Sequence, residues 1–456
     1  MEMTLNIGLS QADSRYFADG TGRTWIPIGC NICFDRNAVS SAEARKRYGG
    51  WMARFAENGG NFMRVWLSTP FLDVMPDRAG EFSSEATDNL KWLVGRAEAL
   101  GLKLKFTFEN FRHLGPKDDS DPEMGIVSFK KAAYAPHAKT MREVFTSPKC
   151  FEIYLAKARH VAEAVGASDA LVAVELWNEI DSVGGFDTGV VGKWSERMLA
   201  ELKRLFPGRM TLQNLGSFSG PSSFIIYDWM AGLAENDFMQ MHRYLDSGAD
   251  LDVCRGPMDV LCADAIRELR DRRPNRPAIL AETGAVKANH TGPSELYGRD
   301  VRGMLLHDEL FAPFFAGSAG CGQPWHWDAQ YIDGNKLWWH FARFAEAVRG
   351  IDPAVEHFRP FRTETRRLRI YGLRGERTTL LWCRDKANTW ESELLRDEVP
   401  QAISGEKIPF AGPFDCYLPW ENRRLATGMG DVLPDFSRSI VVRIKRAALM
   451  PRPPNE

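Results

Sequence analysis

Short apolar runs without polar alternation recur along the chain at residues 25–30, 62–67, 103–108, 171–176, 210–213, 238–241, 278–281 and 316–323, with amphipathic stretches between them. A run without alternation marks a strand covered on both faces, and strands that alternate with helical stretches mark a parallel sheet. From the fourth run onward the starts lie 39, 28, 40 and 38 residues apart, which suits strand–helix units with loops of variable length in an eight-fold barrel. A doubly wound open sheet has the same alternation. It is disfavoured because no GxxxxGK[ST] occurs and Gly428-Met429-Gly430 lacks a third glycine, so nothing supports nucleotide binding.

Helix signals fit this frame. Ser41 opens a charged, helix-favouring stretch that continues to Ala56 and stops at Asn58-Gly59-Gly60, and residues 88–100 close on Gly101. Past Asp352-Pro353 the pattern becomes hairpin-like, with residues 368–373, a turn at Arg374-Gly375-Glu376, residues 378–383, and a last strand over 439–445 after Pro434. The expected fold class is α/β: a (β/α)8 TIM barrel over residues 1–350, then a small all-β, sandwich-like domain over 355–447 and a loose tail over 448–456.

Composition narrows the partners. With 58 basic against 60 acidic residues, the 456-residue chain has no electrostatic footprint for nucleic acid or an anionic membrane. Neither partner is expected. The first residues lack a basic segment followed by an apolar one, and no 18-residue apolar run occurs, so a cytoplasmic location is expected, with secretion open only through a leader absent from this sequence. Eight dispersed cysteines imply no disulfide framework. Cys30 and Cys33 have CxxC spacing without a second close pair, so no metal is expected and both should be half-buried at a strand end.

The candidate chemistry lies at strand ends. The run 171–176 is followed by Trp177-Asn178-Glu179, and the run 278–281 ends on Glu282. Hydrolysis of a glycosidic bond needs two carboxyl groups flanking one bond, one to give a proton and one to attack or stabilise the sugar cation. Each glutamate could alternatively pair with an arginine beneath the helices, a reading that weakens when both are considered together.

These two motifs resemble the retaining glycoside hydrolases of clan A, nearest to family 5, the cellulase and mannanase type, over about residues 20–345. The resemblance implies Glu179 as acid/base, Glu282 as nucleophile and Asn178 on the sugar 2-hydroxyl. Asn61-Phe62-Met63-Arg64-Val65-Trp66 resembles the clan's second strand and implies that Arg64 favours the ionised nucleophile. His242 and Tyr244, two apart, resemble its sixth strand, with the tyrosine bonding the nucleophile. Trp325 and Trp327 both fit the indole under the sugar, and the choice between them is open. Glu109 departs from the family's pattern: it could bind a sugar hydroxyl, tune Glu179, or pair with Arg112 or His113. Asn110 and Trp66 complete the expected substrate contacts, Trp66 with Phe34, Phe71 and Phe111 as stacking surfaces or as core.

The expected function is retaining hydrolysis of β-glycosidic bonds in an oligo- or polysaccharide, with no cofactor. A transglycosylase on the same site and a non-catalytic carbohydrate-binding barrel are the alternatives. A serine hydrolase is disfavoured because Gly216-Ser217-Phe218-Ser219-Gly220 has Phe218 where the nucleophile belongs, and a metallohydrolase because no HExxH occurs.

Overall fold

A computed structural model describes residues 7–114, 133–216, 220 and 223–445. The tail 448–456, residues 115–132 between the third and fourth apolar runs, and the centre of the Gly216-to-Gly220 segment lie outside the described residues. Three short strands, β1 (Gly8–Leu9), β2 (Phe17–Ala18) and β3 (Thr24–Trp25), make an antiparallel sheet that the apolar pattern does not announce. Its rings pack beneath the starts of the main strands, Phe17 on Phe238 at 5.3 Å and Trp25 on Phe62 at 5.5 Å.

Five parallel strands follow in spatial order, β4 (Gly29–Asn31), β5 (Phe62–Trp66), β6 (Lys103–Glu109), β7 (Leu171–Trp177) and β8 (Met210–Leu212), and a parallel pair, β9 (Met239–Asp246) and β10 (Ala278–Val286), stands beyond them. The first strand is therefore displaced from the expected 25–30, because Thr24 and Trp25 are taken by the small sheet. β9 and β10 run well past the apolar runs, since the polar residues that end those runs point into a buried interior rather than out to solvent. Between β8 and β9, Asp237 N donates to Thr211 O at 3.1 Å.

The eighth run is not a strand. Its segment nevertheless bonds on both sides: Ala319 N to Ala278 O at 3.0 Å and Gln323 N to Leu280 O at 2.9 Å, then Cys321 N to Pro27 O and Asn31 N to Pro324 O, both at 3.1 Å. Regular pairing is broken by Gly317, Gly320, Gly322 and Pro324. Glycine is needed at 320, where a Cβ would sit 2.2 Å from Pro27 O.

Helices cover the outside: α1 (Ser41–Glu57), α2 (Ser84–Leu100), α3 (Met141–Thr146), α4 (Pro148–Val165), α5 (Thr188–Leu205), α6 (Ser223–Ala231), α7 (Met258–Arg272), α8 (Met304–Phe315), α9 (Trp339–Val348) and α10 (Pro353–Glu356). Capping explains the boundaries. The Ser40 side chain, one residue before the expected start, accepts from Glu43 N, and Ser83 opens α2 ahead of residue 88 by accepting from Ala86 N. Gly101 closes α2 in the left-handed conformation. Cys30 and Cys33 are fully buried rather than half-buried, and all eight cysteines are free. No helix among the described residues is long and apolar enough to cross a membrane.

The last strands are β11 (Arg359–Glu364), β12 (Leu368–Arg374), β13 (Thr378–Asp385), β14 (Ala402–Ile403), β15 (Lys407–Leu418), β16 (Arg423–Val432), β17 (Phe436–Ser437) and β18 (Ser439–Lys445). Six of them form one antiparallel sheet, β11-β12-β13-β18-β15-β16, while β14 and β17 pair as a ribbon. A single sheet with a ribbon thus stands where two stacked sheets were expected. The β15–β16 hairpin escapes sequence reading because Pro409 and Pro413 interrupt β15, whose register shifts beside them. One face of the sheet carries Leu373, Leu380 and Trp382 toward α8, where Phe311 lies 5.9 Å from Trp382. The other face carries Leu381, Cys383 and Val442 into a separate cluster with Ile403 and Phe436 of the ribbon. Two buried ion pairs tie sheet to helices, Arg369 to Asp259 at 2.6 Å and Arg384 to Asp308 at 2.8 Å.

Candidate active site

Strand alternation decides which polar side chains enter the interior. On β9, Gln240, His242 and Tyr244 face inward, whereas Arg243 between them faces α7 and pairs with Asp264 at 2.9 Å and Glu268 at 3.1 Å. On β7, Glu175 is inward, and Glu179 follows at the strand's end. Glu282 does not end its strand but sits within β10, at a bulge where the pairing shifts between Leu280 and Glu282. The Ala281 carbonyl freed there accepts from Asn31 Nδ2 at 2.9 Å, and the same amide donates to Gln323 O at 3.0 Å. Asn31, unnoticed in the sequence, thereby joins β4, β10 and the segment between them.

Glu179 and Glu282 meet over His242. The imidazole Nδ1 lies 2.9 Å from Glu179 Oε1 and 3.3 Å from Glu282 Oε2, and one oxygen of each carboxylate lies within 4.8 Å of the other. Tyr244 donates its hydroxyl to Glu282 Oε2 at 2.7 Å. Arg64, fully buried, donates to Glu282 Oε1, to Glu175 Oε1 at 2.5 Å and to Asn178 Oδ1 at 2.7 Å. Arg112 donates to Glu179 Oε2 at 2.5 Å. Glu179 itself is left-handed, φ 48°, and its amide donates to Asn214 Oδ1 at 2.6 Å. A non-glycine residue in that region costs about 1–3 kcal/mol, a strain concentrated at functional positions.

Beneath the pair lies a charged layer that sequence reading passed over. Glu175 accepts from Arg64, from Thr107 at 2.8 Å and from Gln240 at 2.6 Å, with Lys105 Nζ at 3.3 Å. Burial opposes the ionised form of Glu175, but Arg64 and Lys105 outweigh it and hold the carboxyl far below its ordinary range. Burial pushes Lys105 down to about 8 against the attraction of Glu175. The signal was present in charged residues at alternate positions of otherwise apolar strands. Around Glu179, burial again favours protonation, yet the hydrogen bond from His242 and the charge of Arg112 hold the carboxyl below its ordinary range. Asp181 nearby is pushed up to about 6, mainly by burial.

The other expected residues divide. Glu109 is buried and pairs with Lys157 of α4 at 3.0 Å, not with Arg112 or His113; the Arg112 guanidinium is instead committed to Glu179. Asn110 Oδ1 accepts from Ser68 Oγ at 2.7 Å. Trp325 keeps slight exposure and lies 5.1 Å from Trp66, whereas Trp327 is fully enclosed by Phe34 at 5.2 Å and Trp51 at 6.3 Å. A cavity of about 290 Å³ lined by Phe34, Arg36, Trp66, Phe71 and Asn110 borders the site without including either glutamate. His242, Glu179 and Glu282 form a three-ligand constellation by distance alone. Guanidinium groups already donate to both carboxylates, which makes a further cation there electrostatically costly.

No protein-family model and no curated protein matches the chain. Solved structures do. One titled glycoside hydrolase covers 97% of this chain and 97% of its own at 12% identity and a TM-score of 0.61. An endo-β-1,4-mannanase from Thermotoga petrophila covers 92% and 98% at 13% identity and 0.52. A glycoside hydrolase family 5 mannosidase from Rhizomucor miehei covers 70% and 85% at 14% identity and 0.50. The chain has the fold of these glycoside hydrolases, in keeping with the family 5 resemblance of its strand-end motifs.

Proposed function

We propose that the protein is a glycosidase that cleaves β-glycosidic bonds with retention of configuration, Glu282 acting as nucleophile and Glu179 as acid/base. The observation that carries this reading is the pairing of the two carboxylates, with oxygens within 4.8 Å of each other. Retaining enzymes place their carboxyl groups about 5–5.5 Å apart, while inverting enzymes leave about 6.5–9.5 Å for a water. Shared fold with glycoside hydrolases supports the same reaction class.

The roles follow from the partners. Glu282 accepts from Arg64 and Tyr244, both of which stabilise a carboxylate ready to attack the anomeric carbon. Glu179 gives the leaving oxygen its proton and later removes one from water. Asn178, whose oxygen is held by Arg64, has its amide N–H groups left to donate to the sugar 2-hydroxyl. Trp325 is the indole under the ring, because Trp327 is enclosed by other aromatics. The substrate is a carbohydrate, with aryl β-glucosides and β-mannosides as first probes.

The scaffold is read as a closed (β/α)8 barrel in which the segment 319–325 stands as the eighth strand, supported by its hydrogen bonds to β10 and to the chain beside β4. The sheet of residues 355–447 is read as a second domain, supported by its own apolar cluster.

Azide separates the roles of the glutamates. Glu282→Gly should lose turnover, and azide entering below the ring should restore a single displacement that converts a β-glycoside to the α-glycosyl azide. Glu179→Ala should still be glycosylated by substrates with good leaving groups, and azide should then intercept the ester to give the β-azide. The same anomer from both variants, or near-normal activity in either, refutes the assignment.

A further inference from the structure

In the resting molecule both oxygens of Glu179 are occupied, Oε1 by His242 and Oε2 by Arg112. An acid/base has to carry a proton on one of them and bring it to the glycosidic oxygen, which this arrangement blocks both sterically and electrostatically. The two partners differ in their freedom to leave. His242 is fully buried within β9 and wedged between the glutamates. Arg112 follows β6 in a connecting segment whose backbone is pinned by Gly184 N donating to Arg112 O at 2.8 Å, while its side chain is 36% exposed. Among the described residues, the other titratable groups facing Glu179 are Glu282, Asp181, Tyr244 and His290. Tyr244 is committed to Glu282, and its ring packs edge-on against His290 at 4.6 Å.

We propose, resting on Glu179 as the acid/base, that Arg112 is a displaceable cap on that carboxylate and a positioning residue for catalysis. The leaving part of the substrate arrives on the Oε2 side and swings the guanidinium out. Glu179, stripped of that counter-ion, takes one proton from solvent. It passes this proton to the glycosidic oxygen as the C–O bond breaks and Glu282 forms the glycosyl ester. When the leaving alcohol departs, Arg112 returns and favours the carboxylate form, the state that accepts a proton from the attacking water and releases it to solvent. A single arginine thereby sets the two protonation states in turn.

The test compares two pH profiles of one enzyme, using a β-glycoside with a poor leaving group so that the first step limits kcat. The alkaline limb of kcat/KM reports Glu179 in the free enzyme, with Arg112 in place, and that of kcat reports the complex, with Arg112 displaced. The kcat limb should lie about one pH unit or more above the kcat/KM limb, the effect of removing a neighbouring cation. Arg112→Ala and Arg112→Gln should each raise the kcat/KM limb to meet it, a gain of about tenfold one unit above the wild-type limb. Arg112→Lys should keep part of the gap. Coincident limbs in the wild type, or a gap that survives in both neutral variants, overturns the proposal, and the wild-type comparison decides alone if those variants fail to fold. Should Glu179→Ala give the β-azide while the limbs coincide, Arg112 loses its role and the acid/base reading stands.

Discussion

Replacing Arg64 with methionine, which keeps much of the volume but removes the charge, tests the electrostatics under the nucleophile. The guanidinium touches Glu282, Glu175, Asn178, Thr107 at 3.0 Å and Asn31 at 3.4 Å, all of them buried. Its loss does not strand either carboxylate completely: Glu175 keeps Lys105, Gln240 and Thr107, and Glu282 keeps Tyr244 and His242. Breaking a buried ion pair from one side costs about 3–5 kcal/mol, and these remaining partners put the expected stability loss at the lower end. The effect on chemistry is more specific. Removing a cation in contact with a carboxylate raises its titration by about 1–3 pH units. Because attack requires the ionised form, activity should fail at a higher pH than in the wild type. An aryl β-glycoside with a good leaving group takes Glu179 out of the first step, so the acid limb of kcat/KM isolates the nucleophile. That limb should move up by at least one unit, about tenfold in rate on its acid side. An unmoved limb with near-normal kcat would refute the reasoning and leave Arg64 a purely structural cation.

Two further outcomes are expected. Trp325→Ala should raise KM several-fold with little change in thermal stability, whereas Trp327→Ala, vacating an enclosed aromatic site, should cost about 3–5 kcal/mol; steady-state kinetics and thermal melts distinguish them, and the reverse assignment refutes the choice of Trp325. His340, buried with its Nε2 2.8 Å from Arg302 O, is pushed by burial down to about 3, below the ordinary 6.5. The unfolded chain therefore gains a proton below pH 6.5 that the folded chain refuses until about 3, and stability present above pH 6.5 is lost across that window at up to about 1.4 kcal/mol per unit. His340→Gln should flatten the fall of Tm between pH 6.5 and 4, and an equal slope in both proteins would count against this origin.

Legibility in the sequence followed burial. A strand covered on both faces, such as β7 over Leu171–Trp177, appears as an apolar run near its observed bounds, and β18 over Ser439–Lys445 as an alternating strand after Pro434. Elements held together by a few long-range contacts do not: β1 to β3 are two residues each, and β15 carries two prolines. The glutamates stood out because a polar residue at the end of an apolar run demands explanation. Lys105 and Glu175 did not, since a charge buried in a strand makes sense only beside its partner from another strand. Glu109 misled for the same reason, its partner Lys157 lying on a helix 48 residues away.

The docking of the last sheet has a consequence for synthesis of the chain. Its contact with the helices is sided by charge, with Asp259 and Asp308 on α7 and α8 and with Arg369 and Arg384 on β12 and β13. The helices leave the ribosome first. Until the sheet arrives, they expose two uncompensated acids beside the aromatic surface of Phe311 and Phe315 that Trp382 later covers. A nascent chain halted near residue 350 thus displays a sticky, negatively charged flank, and trimming the gene to its glutamate-bearing portion should yield an aggregation-prone product in place of a minimal enzyme.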